Sequence, residues 1–166
     1  NEQFWYIWMK MYPFVKDLCL YPRNYHLKDV LISYLLAWRW WEEGIESWHS
    51  LTIANVDFYS IVSRELGQVP AVLYSISRVL CTIGSKFQKE GIEWLDAIVS
   101  KNHEIVLDDL GSNTLFYIEC FMRKFIIENR EKIKRDSRLK LKVINVLSFT
   151  IEKGSMRGYQ LRESIL

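Results

Sequence analysis

Turn-forming residues are scarce in this chain. Seven Gly and three Pro in 166 residues leave few tight turns, so the elements are long and their connections short. Cysteine is also rare. Cys19, Cys81 and Cys120 are widely spaced and odd in number, which excludes a disulfide framework and a C-x-x-C ligand pair. Each sits in an apolar segment and reads as a buried free thiol in a reducing compartment, so a cytoplasmic location is expected. The three His, at 26, 49 and 103, are far apart, and no metal site is expected from them. They also lack the Arg–His spacing of one large family of helical RNases. The longest mostly apolar run, Val30 to Trp38, stops at Arg39. That is well short of the roughly 20 residues of a membrane helix. Neither G-x-x-x-x-G-K-[ST] nor G-x-G-x-x-G occurs, so no nucleotide or other cofactor is expected.

What is present is a folded composition: 49% apolar and 25% charged residues, with seven Trp, nine Tyr and eight Phe. Apolar side chains recur every third or fourth position. Phe4, Ile7, Trp8, Met11, Val15 and Leu18 make one stripe, and Leu73, Ile76, Leu80, Ile83 and Phe87 another. Leu115, Ile118, Met122, Phe125, Ile126 and Ile133 make a third, and Leu139, Val143, Val146, Leu147 and Ile151 a fourth. This is helical periodicity, and no stretch alternates as a strand does. Pro70 suits a first helical turn. Gly111-Ser112-Asn113 reads as a break and cap before a long helix from Thr114 to about Lys134, Asp136-Ser137 as a turn and cap, and Lys153-Gly154 as a helix end. The expected fold is all-α, one unit over 1–166. It has seven to eight helices, with antiparallel pairs stacked as a short solenoid or an irregular bundle. Phe4 to Met9 reads as the inside of an element, so the unit is expected to belong to a larger polypeptide.

One near-repeat supports the solenoid. Glu43-Gly44-Ile45-Glu46 returns 47 positions later as Glu90-Gly91-Ile92-Glu93, each after a basic-aromatic pair, Arg39-Trp40 and Lys86-Phe87. A third copy would fall near Ser137-Arg138-Leu139-Lys140, which does not match. Over residues 26–101 this pattern resembles the HEAT/armadillo kind of scaffold, whose units run about 40–47 residues. The resemblance implies a surface for partners and no catalysis.

Candidate chemistry is thin. Ser137-x-x-Lys140 has the spacing of a Ser/Lys pair, but Ser137 has a simpler role as a cap and the companion motifs are absent. Gly154-Ser155-Met156-Arg157-Gly158 is a Gly-flanked basic loop that reads as a helix stop. The carboxylate pairs Glu42-Glu43 and Asp108-Asp109 are adjacent in sequence, so on a helix they point about 100° apart.

Charge is the stronger signal. Residues 123–166 hold twelve Lys/Arg and five Asp/Glu, whereas residues 1–122 hold ten and fifteen. Arg130, Lys132, Lys134, Arg135, Arg138, Lys140 and Lys142 crowd a helix–turn–helix corner and form the candidate surface for an anionic partner. No aromatic stands between Phe125 and Phe149 to stack on a base. Trp5, Trp8, Trp40 and Trp41 form a candidate aromatic interface, within a cluster that includes Trp38 and Trp48. The functional expectation is a non-enzymatic scaffold or sensor region of a larger intracellular protein. It would meet a protein partner, other domains of its own polypeptide, or further copies of itself. The alternative is a nucleic-acid-binding module working through the corner at 130–142.

Overall fold

The computed structural model describes residue 6 and residues 9–14, 16–17, 53–101 and 111–166. Residues 9–14 are helical. From residue 53 the order is α1 (Ile53–Glu65), α2 (Pro70–Ile83), a 3-10 turn (Gly84–Lys86), α3 (Gln88–Val99), α4 (Gly111–Arg135), α5 (Ser137–Glu152) and α6 (Met156–Glu163). No strand occurs among the described residues. The fold is all-α, as the periodicity predicts.

The helix ends follow from local chemistry. Pro70 opens α2, where its missing N–H costs nothing. The Asp136 side chain accepts from the backbone N–H of Arg138 and Leu139 and so caps α5. The cap is thus Asp136, with Ser137 already the first helical residue; a carboxylate one residue earlier reaches the free amides better. Gly154, with φ of 92°, ends α5 in the left-handed region that favours glycine. Its N–H donates to the Ile151 carbonyl and that of Ser155 to the Thr150 carbonyl. Ser155 then caps α6 by accepting from Gly158 N–H at 2.7 Å. The loop from 154 to 158 is therefore a helix stop followed by a helix start. The reading of Gly111-Ser112-Asn113 as a break is corrected: these residues form the first turn of α4. A first turn has no intrahelical acceptor for its N–H groups, so weak helix formers are tolerated there.

Contacts between helices fix how they stack. Trp94 Nε1 donates to Ser60 Oγ at 2.8 Å and Lys101 Nζ to the Arg64 carbonyl at 2.8 Å. Later residues of α1 thus meet later positions at α3, and the two helices run the same way. The Tyr74 and Tyr117 rings lie 5.9 Å apart, and Lys124 Nζ reaches the Cys81 carbonyl at 3.5 Å, so α2 and α4 are parallel as well. Lys142 pairs with Glu93 at 3.2 Å and Asn145 donates to Asp96 at 3.0 Å, a constant offset of 49 residues between α3 and α5. Between α3 and α4 the order reverses. Gln88 meets Asn129 at 2.7 Å, whereas Gly91, later in α3, lies against Phe121, earlier in α4.

These registers set neighbouring helices of one layer parallel and reverse the order between α3 and α4, close packing consistent with a short solenoid or a bundle. One layer holds α1, α3 and α5; the other holds α2 and α4. Between them lies the core, including Phe58, Val62, Leu73, Ile76, Leu80, Ile92, Leu95, Phe121, Met122, Phe125, Val146 and Leu147. α6 closes against α4, where Ser155 Oγ donates to Glu119 and Arg157 approaches the same carboxylate at 3.7 Å.

Among the described residues, the helices of one layer are not evenly spaced in sequence. α1, α3 and α5 start at Ile53, Gln88 and Ser137, which are 35 and then 49 residues apart. Glu90 to Glu93 lie in α3; the earlier copy, Glu43 to Glu46, lies outside the described residues.

Candidate anionic-partner surface

The basic corner forms where α4 ends and α5 begins. α4 is 25 residues long and bends at Asn129, whose φ of −116° and ψ of 16° interrupt the helix. The bend has a chemical cause. Asn129 Nδ2 donates to Gln88 Oε1 at 2.7 Å and to the Phe125 carbonyl at 3.0 Å. Gln88 in turn donates from Nε2 to Glu128. A side chain at the start of α3 thereby sets the direction of the last six residues of α4. Buried Ile133 and half-buried Leu139 hold both sides of the corner to the core, so the charged residues point outward.

Arg130, Lys132, Lys134, Arg135 and Arg138 are exposed, and Lys140 and Lys142 half-exposed. All seven stand in the stretch where α4 ends and α5 begins. Two of them are already paired: Lys134 with Glu131 at 3.0 Å and Lys142 with Glu93 at 3.2 Å. Among the described residues, Arg130, Lys132, Arg135, Arg138 and Lys140 have no acidic partner. Four carboxylates of the corner and of α3 are engaged elsewhere. Glu131 and Glu93 hold those two lysines, Asp136 caps α5, and Glu128 accepts from Gln88.

Helix stability accounts for only half of this. Lys132, Lys134 and Arg135 lie in the last turn of α4, where the carbonyl end of the helix favours cations by about 0.3–1 kcal/mol each. Arg138 and Lys140 lie at the opposite end of a helix, at the start of α5, which has no acidic residue in its first turn. There the dipole opposes them by a comparable amount. Their placement needs another reason.

Lys89 was missing from the sequence-based list. It follows Gln88 at the start of α3 and is exposed, and among the described residues it has no ion-pair partner. The offset of 49 that ties Glu93 to Lys142 puts Lys89 level with Arg138 on the neighbouring parallel helix, at an axis separation of roughly 8–10 Å. In sequence Lys89 stands apart from the charge run, and only the stacking brings it there.

The candidate aromatic interface, Trp5, Trp8, Trp40 and Trp41, lies outside the described residues, as do Trp38, Trp48, Cys19 and all three His. The seventh Trp, Trp94, is buried between α3 and α1. Cys81 and Cys120 are free and only half-buried, less enclosed than their apolar sequence neighbours suggest. They face each other across α2 and α4, and burial, together with the hydrogen bond that the Cys81 thiol donates to Cys120, pushes the Cys81 thiol up to about 12. Among the described residues no three His, Cys, Asp or Glu side chains cluster to hold a metal ion, and no helix is long and apolar enough to cross a membrane. No family model and no curated protein matches this chain.

Proposed function

We propose that this chain is a docking unit of a larger intracellular protein, a scaffold or sensor region that holds a partner through its cationic edge and catalyses no reaction. One observation carries the reading: five cations that have no acidic partner among the described residues, fixed on a packed helical frame, two of them where helix electrostatics disfavours them. Unpaired charge held in place by a packed core is suited to recognition, because little side-chain and backbone order remains to be lost on binding. Stacked helix pairs supply such frames in general. Hydrogen exchange on the intact protein tests the reading, comparing its mixture with a polyanion (polyphosphate or polyglutamate) at low salt with the same mixture at high salt. Protection confined to residues 128–142 and to the start of α3 is expected at low salt. Identical exchange in both conditions would sink it.

A further inference from the structure

Resting on that docking reading, we infer that the partner of this edge is a nucleic acid, held by its phosphate backbone and not by its bases. The surface comprises Lys89 at the start of α3, Arg130, Lys132 and Arg135 at the end of α4, and Arg138 and Lys140 at the start of α5.

The composition of the edge separates a nucleic acid from a protein partner. The cores of protein interfaces are enriched in aromatic residues and depleted in Lys. This edge is the reverse: no aromatic occurs between Phe125 and Phe149, and Leu141 is the one large apolar side chain exposed within the corner among the described residues. An acidic protein docked here would have to remove Lys89, Lys132 and Lys140 from water with little apolar area to offset the cost. A phosphate backbone makes no such demand, since it stays hydrated and gains chiefly from counterion release.

Layout points the same way. Five of the six cations stand at the junction of α4 and α5, and the sixth, Lys89, is level with Arg138 on the neighbouring parallel helix α3. Cations spread over three helices suit a chain of phosphates better than a single charged group. Between Phe125 and Phe149 no aromatic stands to stack on a base as in single-strand binders, which favours a contact to the backbone that is independent of sequence.

The test is fluorescence anisotropy of the intact protein with mixed-sequence oligonucleotides, one single-stranded and one duplex, across a salt series. Six phosphate contacts give a slope of log affinity on log salt between about −4 and −5, or roughly a thousandfold weakening for a fourfold rise in salt. Arg135→Glu with Arg138→Glu should weaken binding at least tenfold for every sequence tried and flatten the slope by about 2. Lys89→Glu, at the start of α3, should flatten it by about 1. Lys101→Glu is the control for net charge, because Lys101 follows the far end of α3 and donates to the Arg64 carbonyl; it should bind as wild type. Circular dichroism of every variant confirms the fold. Equal losses for Lys101→Glu and Lys89→Glu would overturn the proposal, as would a slope near zero. Binding to polyglutamate with none to either oligonucleotide would overturn it in favour of an acidic protein, leaving the docking reading intact.

Discussion

Gly91 sits where three helices meet, and adding one methyl group there tests the packing directly. A Cβ on Gly91 would lie 2.6 Å from Leu80 Cδ2 and 2.8 Å from Phe121 Cζ, about 1 Å inside normal carbon–carbon contact. The Phe121 ring cannot retreat easily, because Gly84 lies against its other atoms: a Cβ there would be 2.5 Å from Cδ2 and 2.7 Å from Cε2. Leu80 and Phe121 are both buried. In an exposed helix, Gly→Ala would stabilise by about 0.5–1 kcal/mol. Overpacking a filled site costs about 1–3 kcal/mol, so Gly91→Ala should be net destabilising by about 1–2 kcal/mol. Urea denaturation should show a lower midpoint with an unchanged slope, since the same surface is exposed on unfolding. The cause is then isolated by a double-mutant cycle with Phe121→Leu, which shortens the ring side chain that blocks the methyl group. The pair should be less destabilised than the sum of the two single changes, by about 1 kcal/mol. Gly91→Ala as stable as wild type, or strictly additive with Phe121→Leu, would show that the three helices do not meet as described.

Three further outcomes follow from particular contacts. Asp136→Ala removes the acceptor of two amide bonds of 3.0 Å at the start of α5 and should lower stability by about 0.5–2 kcal/mol in thermal or urea unfolding, whereas Asp136→Asn, which keeps the acceptor, should lose far less. Glu65 is held below its ordinary carboxyl value by hydrogen bonds from Lys16 and Tyr12. Its folded value is depressed, so its contribution is complete above the unfolded value and is lost as pH falls through the folded one. Acidification past the ordinary carboxylate range should therefore speed hydrogen exchange at 9–17, and Glu65→Gln should abolish that pH response. Cys81, pushed up to about 12 from 9.0, carries about a thousandfold less thiolate than an ordinary thiol at neutral pH. Iodoacetamide followed by peptide mass analysis should find Cys81 alkylated slowly in the native protein and at an ordinary rate in urea.

Much of the architecture was legible because helices betray themselves through spacing. The stripes through Leu73, Ile76 and Leu80, and through Val143, Val146 and Leu147, are now core. The stops at Asp136 and Gly154 were equally plain, since each depends on a side chain or a dihedral that few residues supply. The period was not legible. Gly91 belongs to the near-repeat, yet its physical reason is local: only a residue without Cβ lets Phe121 lie against α3. A glycine required by one ring need not recur at the spacing of the helices. An α4 of 25 residues against 14 in α2, with a longer connection between α3 and α4 than between α1 and α2, stretches the period from 35 to 49 residues while the stacking stays the same.

At the candidate surface, sequence revealed which cations exist and concealed which are free. Seven charges within thirteen residues look alike on the page, but Lys134 and Lys142 are held by Glu131 and Glu93, whereas Arg138 and Lys140 have no acidic partner among the described residues. Glu93 lies 49 positions from Lys142, a separation at which no local rule applies. Lys89 was hidden by the same distance. The consequence concerns specificity as well as affinity. Of the carboxylates nearest the edge, Asp136 is fixed by its cap, and Glu131 and Glu93 are fixed by their lysines. Removing the charge of Asp136 alone, as in Asp136→Asn, leaves both ion pairs in place and subtracts one repulsive contact for an incoming anion. That variant should bind a polyanion more tightly than wild type at low salt and no differently at high salt, where a Debye length near 3 Å at about 1 M hides the extra charge. A gain that survives high salt would mean that Asp136 limits binding by shape and that electrostatics does not govern this edge.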